Sequence, residues 1–209
     1  NAVLCTDASE PLASAMQSAA KASECVQMID LHTHSSASDG ALTPTALVER
    51  AAAEGLSVLA LTDHDSFDGL AEAQVAADST EIRLVRGIGL EIAFEPGEFH
   101  LLGLDFSAIQ EPFRQAALAL AQSREDRNRA VLELFRADGI DLDYDALRAR
   151  VGLGMIGRPH IAEMLVSKRV VKSKQEAFDK YLAKGRSHYL RKACMELENA
   201  IDLVHGSGG

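Results

Sequence analysis

From Met28 onward, short apolar runs alternate with stretches of helical periodicity. The run Met28 to His34 predicts a strand, in which alternate side chains share a face, so Asp30, His32 and His34 point the same way. Thr43-Pro44 is a hydroxyl cap followed by proline at the first helical position. It opens a helix through Leu47, Val48, Ala51 and Ala52 that stops at Gly55. A second strand is predicted over 57–62, a helix from Asp68 to Asp78, a third strand at Ile82-Arg83-Leu84-Val85 and a further apolar run from Phe99 to Leu104. Strands alternating with helices predict a parallel sheet, open or closed into a barrel, with chemistry gathered at the carboxyl ends of its strands.

The texture changes at Glu111. Residues 111–137 predict one long amphipathic helix with Leu118, Ala121, Val131, Leu134 and Phe135 buried, and a charged stretch Arg124-Glu125-Asp126-Arg127 between them. Further helices are predicted at 143–150, 159–169, 174–184 and 195–205, with breaks at Gly139 and Gly152-Leu153-Gly154. The chain therefore divides into a poorly ordered leader (1–27), the first part of an α/β barrel (28–110), a helical insertion (111–190) and a return to the barrel (191–209).

Composition narrows the class. Of 209 residues, 47% are hydrophobic and 25% charged, which is ordinary for a globular protein. No apolar run is long enough to span a bilayer. The leader lacks the basic start and compact apolar centre of a secretion signal. Cys5, Cys25 and Cys194 are odd in number and far apart, which argues against a disulfide framework or a structural zinc knuckle and fits a reducing cytoplasm. The net charge of -10 hides an asymmetry: residues 28–110 hold 14 acidic and 3 basic residues, residues 158–192 hold 10 basic and 3 acidic. A basic segment beside a cation site suits a phosphate-bearing substrate, whereas the negative total argues against a stable grip on duplex nucleic acid.

The acidic part holds the candidate chemistry. His32 and His34 end the first strand, with Asp39-Gly40 on the turn that follows. The second strand runs into Asp63-His64-Asp65, and Glu91 and His100 come next. Five or six nitrogen and oxygen ligands without cysteine predict a cluster of two or three divalent ions, manganese, iron or zinc, able to bind phosphate oxygens and activate water. Asp30, on the ligand face, is expected to support a histidine ring. Of Asp63 and Asp65, one is expected to face the site and the other to cap a helix.

These residues carry a resemblance. Ile29-Asp30-Leu31-His32-Thr33-His34-Ser35, Ser38-Asp39-Gly40, Leu61-Thr62-Asp63-His64-Asp65 and Glu98-Phe99-His100-Leu101-Leu102-Gly103-Leu104 resemble the PHP (polymerase and histidinol phosphatase) superfamily of metal-dependent phosphoesterases. Gly157-Arg158-Pro159-His160 and Lys180-Tyr181-Leu182-Ala183-Lys184-Gly185 are similar to the helical insertion of its nucleoside 3',5'-bisphosphate phosphatase and 5'-to-3' exoribonuclease branch. The resemblance implies a distorted (β/α)7 barrel with a trinuclear metal site. It implies His32, His34, Asp39, His64 and His100 as ligands, and Arg158 and His160 as substrate contacts. The family's Gly-Ile-Glu pattern, laid on Gly87-Ile88-Gly89, puts glycine where the glutamate belongs, so Glu91, two positions on along the same strand face, is taken as that ligand. Relatives continue into a strand with another ligand histidine and an Asp-x-His motif, so the expectation here is about two-thirds of a barrel, lacking three ligands, with activity weak or nil. The implied function is hydrolysis of small nucleotide phosphate esters or short single-stranded RNA 5' ends by a metal-activated hydroxide. A histidinol-phosphate-type phosphatase and a non-catalytic, truncated remnant are the alternatives.

Overall fold

Residues 28–94, 98–152 and 154–209 are described by the structure, a computed structural model. The leader, with Cys5 and Cys25, lies outside them. Four strands form a sheet in the order β1 (Met28–Thr33), β2 (Leu56–Leu61), β3 (Arg83–Ala93) and β4 (Glu98–Leu104). The first three are parallel, joined by α1 (Pro44–Ala53) and α2 (Leu70–Ala77). Helix α1 starts as its sequence dictates, with the Thr43 hydroxyl accepting from the Ala46 amide at 3.2 Å. The described residues supply four of the seven strands that a (β/α)7 barrel needs.

Two expectations are corrected. β3 does not end at Val85 but runs to Ala93, and every residue from Gly87 to Ile92 is buried. Its two glycines are points of close approach: a Cβ at Gly87 would lie 2.8 Å from Thr62 Cγ2, and one at Gly89 would lie 2.9 Å from the Thr62 carbonyl oxygen. β4 is antiparallel to β3, with Glu91 paired to His100 and Ile92 to Phe99. Only residues 94–97 separate the two strands, enough for a hairpin and far too few for a parallel crossover.

Helix α3 (Glu111–Ala137) has the predicted bounds, followed by α4 (Tyr144–Val151), α5 (Arg158–Ser167), α6 (Lys174–Ala177) and α7 (Leu197–Gly206). The expected helix 174–184 is instead α6 followed by a π-helical turn, Phe178–Leu182. The buried positions of α3 also differ: Leu118 is exposed, while Phe113, Ala117, Arg124, Arg127, Asn128, Val131, Leu132 and Phe135 are buried. Most of these fall on one helical face, apolar at both ends and cationic in the middle.

That face explains the architecture. Phe113 and Ala117 belong to a core with Leu59, Leu61, Ile88, Leu90 and Ile92 of the sheet. Val131, Leu132 and Phe135 belong to a second core with Leu147, Ile156, Ile161 and Leu165 of the helical lobe. One helix thus anchors two lobes, and its Arg124–Arg127 segment lies between them. Phe113 meets Phe67 and Phe106 edge to face, with ring centroids 5.1 and 5.5 Å apart. Truncating this fully buried ring, Phe113→Ala, should destabilise the chain by about 3–5 kcal/mol, read as a lower urea midpoint.

Candidate metal centre

The site starts from the ends of β1 and β2. Thr62 binds the Thr33 carbonyl oxygen through both its amide and its hydroxyl, each at 2.9 Å, and the Thr33 hydroxyl donates to Ala60 O at 2.6 Å. His34 and Asp63 are thereby fixed side by side. The buried Asp63 carboxylate then takes the Ser35 amide at 2.7 Å and the Ser35 and Ser38 hydroxyls at 2.6 Å each. Those bonds fold residues 35–42 into a turn closed by Gly40 N to Ser35 O at 2.8 Å and Ser36 N to Leu42 O at 2.7 Å. Glycine is required at position 40, since a Cβ would lie 2.2 Å from the His34 carbonyl oxygen. The turn brings Asp39 back over the strand ends, its two oxygens 3.8 Å from His34 Nδ1 and from His64 Nε2 respectively.

His64 is placed by a short continuation of β2 along β3, in which Gly89 N donates to Asp63 O and Asp65 N to Gly89 O, both at 3.0 Å. Its ring stacks on His34 at 4.4 Å, with His100 edge-on to it at 4.7 Å and His32 at the far end, 5.0 Å from His34. Ligand atoms of His34, Asp39 and His64 all lie within 4.8 Å of one another. Glu91 Oε2 faces His100 Nε2 at 3.7 Å. All six candidate ligands are therefore contiguous, with His34, Asp39 and His64 as the compact group and the solvent-exposed His32 outermost. The Gly-apolar-Glu spacing also falls on Gly89-Leu90-Glu91, and Gly89 is the residue the Thr62 carbonyl has no room beside.

These residues suit a divalent ion. The Nδ1 atoms of His34 and His64 are buried without a hydrogen-bond partner, an expensive arrangement for a polar atom; that of His34 faces Asp39, whereas His64 turns Nε2 to it. Burial pushes the His64 ring down to about 4 and lowers His34 as well, against the opposing pull of Asp39. Neutral imidazoles beside a carboxylate are a donor set for first-row metals.

Across from these groups lies the helical lobe, and between them is a cavity of about 390 Å³. Its lining brings Asp39, His64, Glu91 and His100 together with Arg124, Arg127, Arg158, His160, Glu163, Lys174 and Lys192. Arg158 and His160, the expected substrate contacts, are in the first turn of α5. The Arg158 guanidinium lies 5.1 Å from the Tyr189 ring centroid and 3.4 Å from Leu182 O, at the end of the π-helical turn. His160 Nδ1 accepts from the Gly157 amide at 3.0 Å, which leaves Nε2 as the protonated nitrogen of the neutral ring, and burial lowers its pKa.

Several residues of this site were not singled out from the sequence. Arg124 and Arg127 belong to a stretch that stood out only as charge, yet both are buried, and Arg124 pairs with the buried Asp65, which has a positive φ of 49°. Helical phase was the missed signal: 113, 117, 124, 128, 131 and 135 share one face. Lys192 and Cys194, on the returning segment, both reach Glu91. Neither Asp63 nor Asp65 caps a helix, and Gly69, the residue before α2, offers it no side-chain cap. Asp30 supports no ring; its carboxylate accepts from the His32 amide at 3.1 Å. His188 is buried against Phe135 with centroids 4.0 Å apart, a structural role.

Comparison with known proteins agrees with this geometry. The PHP domain family matches residues 30–205. A 5'-3' exoribonuclease of Haemophilus influenzae is 36% identical over 180 residues, covering 86% of this chain and 65% of that protein. A 3',5'-nucleoside bisphosphate phosphatase of Chromobacterium violaceum is 37% identical over 182 residues, covering 87% and 64%. A Bifidobacterium adolescentis structure described as a candidate metal-dependent phosphoesterase superposes with a TM-score of 0.78 at 29% identity, over 88% of this chain and 65% of that one. The chain thus spans slightly less than two-thirds of the length of these relatives.

Two measurements test the site. Asp63→Ala strands three buried donors and should cost about 3 kcal/mol or more in a urea titration, with weakened divalent-ion binding as the Asp39 turn loosens. In metal-free buffer, unfolded His64 takes a proton near its ordinary 6.5 and the folded ring only near 4. The stability it contributes is therefore intact above pH 6.5 and drains away as pH falls toward 4, and His64→Gln should flatten the urea midpoint over that window.

Proposed function

We propose a function on one premise, that the chain belongs to the PHP domain family: it is a divalent-metal-dependent phosphoesterase acting on a small nucleotide such as a nucleoside 3',5'-bisphosphate, or on the 5' end of short single-stranded RNA. The observation that carries this reading is the meeting, around one cavity, of half-buried imidazoles beside Asp39, each with a buried unpartnered Nδ1, and a cluster of cations.

His34, Asp39 and His64 would hold an ion, with Glu91, His100 and His32 extending the set to two or three ions. A bound manganese, iron or zinc ion supplies Lewis acidity toward phosphate oxygens and water. The chain does the rest. Arg158, braced by Tyr189 and the Leu182 carbonyl, offers a planar fork for a phosphate. His160 donates from Nε2, and the first turn of α5 adds the positive end of a helix dipole to the same wall. Arg124, tied to Asp65, fixes the helical lobe against the metal wall and keeps its charge beside His64. The volume suits one nucleotide rather than a long polymer lying in the cleft.

The names of the two curated relatives support nucleotide and RNA substrates alike, and cavity size favours the smaller. No described helix is long and apolar enough to cross a membrane. The odd cysteine count supports our placing the chain in the cytoplasm.

Phosphate release from adenosine 3',5'-bisphosphate with added manganese, together with bound metal per chain, tests the proposal. The unmodified chain should turn the substrate over, and His64→Ala should lose activity by about a hundredfold or more along with part of its metal. Arg158→Ala should raise KM while leaving bound metal unchanged. Turnover that survives His64→Ala, or that ignores a chelator, would overturn the reading.

A further inference from the structure

The segment that returns from the helical lobe to the sheet grips Glu91 at several points. Met195 N donates to Glu91 O and Ala93 N to Met195 O, both at 3.0 Å, so this segment adds itself alongside β3. From that anchored backbone Lys192 reaches the Glu91 side chain and pairs with Oε2. Cys194 Sγ approaches the other oxygen, Oε1, at 3.9 Å. Both partners of the ion pair are largely out of solvent, with side chains 12% and 8% exposed. Oε2 is also the oxygen that faces His100 Nε2 at 3.7 Å. An ion shared by Glu91 and His100 and the Lys192 ammonium therefore compete for the same oxygen.

We propose that Lys192 is a built-in cation of the metal centre, which neutralises Glu91 in place of an ion and makes loading sequential. The inference rests on the metal-dependent reading above and deepens it. The compact His34–Asp39–His64 group has two imidazoles rather than an ammonium against its carboxylate and loads first. The Glu91–His100 side accepts a divalent ion only when that ion displaces Lys192. The entering ion takes over from the ammonium at Oε2, so its binding is weakened by whatever the Glu91–Lys192 pair is worth. Displacement breaks no covalent bond: the ammonium keeps its proton and moves into the cavity whose wall it already lines.

Manganese binding to the full chain, followed by calorimetry and by metal content after gel filtration, tests this. The unmodified chain should show one tight and one weak event. Lys192→Met should tighten the weak event by about tenfold or more and leave the tight one in place, while Lys192→Arg, which keeps a cation, should preserve the split. Metal-free Lys192→Met should melt below the unmodified chain and gain more in Tm from manganese. A readout that needs no variant is amine labelling with mass spectrometry, in which Lys192 of the unmodified chain should be protected without metal and modified once the weak event is saturated. A weak event unchanged by Lys192→Met, or Lys192 labelling that ignores metal, overturns the inference and leaves the metal centre standing. Absence of any divalent-ion binding in the unmodified chain overturns both.

Discussion

A single buried carboxylate sets the position of everything else at this site. Asp63 sits where β2 ends, and its oxygens collect an amide and two hydroxyls from the turn that follows β1. Buried charge is tolerable only when its hydrogen bonds are made, so the turn cannot relax without exposing that cost. Its closed form carries Asp39 to His34 and His64. It also presents Ser38 O to the Met155 amide at 2.8 Å, and leaves no room at Gly154, where a Cβ would lie 2.7 Å from Ser36 O. The helical lobe therefore docks on the same turn that shapes the metal wall. Gly69 completes the arrangement, since a Cβ there would lie 2.8 Å from an Asp63 oxygen.

Much of this was legible in the residues, for identifiable reasons. β1, β2 and α1 carry local signals, alternation and a Thr-Pro cap, that no distant contact overrides. The bounds of α3 followed from its periodicity. What failed depended on partners far along the chain. Gly87 and Gly89 look like strand breakers in isolation and become necessary only once the Thr62 backbone lies against them. The shortness of the connection from β3 to β4 went unweighed, and with it the antiparallel pairing that sets Glu91 opposite His100. The burial of Arg124 and Arg127 was written in helical phase but masked by the habit of placing guanidinium groups outside. Lys192 could not be read at all, since nothing local marks a segment that pairs with a strand a hundred residues earlier.

The uneven charge of the chain acquires a physical meaning in the fold. Most charged residues of both lobes are exposed, but Asp39 and Glu91 of the sheet lobe meet Arg158, Lys174 and Lys192 around one cavity. Several cations there are themselves held by carboxylates: Arg124 by Asp65, Lys174 by Glu163 at 2.5 Å and Lys192 by Glu91. Such pairing fixes where each positive group points and tempers the field that an anionic ligand meets on entry.

Helix α3 has a mechanical consequence. Its 27 residues make a rod roughly 40 Å long, rooted at one end in the sheet core and at the other in the helical core. An unbroken rod of this length acts as a spacer, holding the two cores at a set separation. Arg124 and Arg127 lie near its midpoint, where neither core reaches, and the gap between the cores is where the paired charges collect.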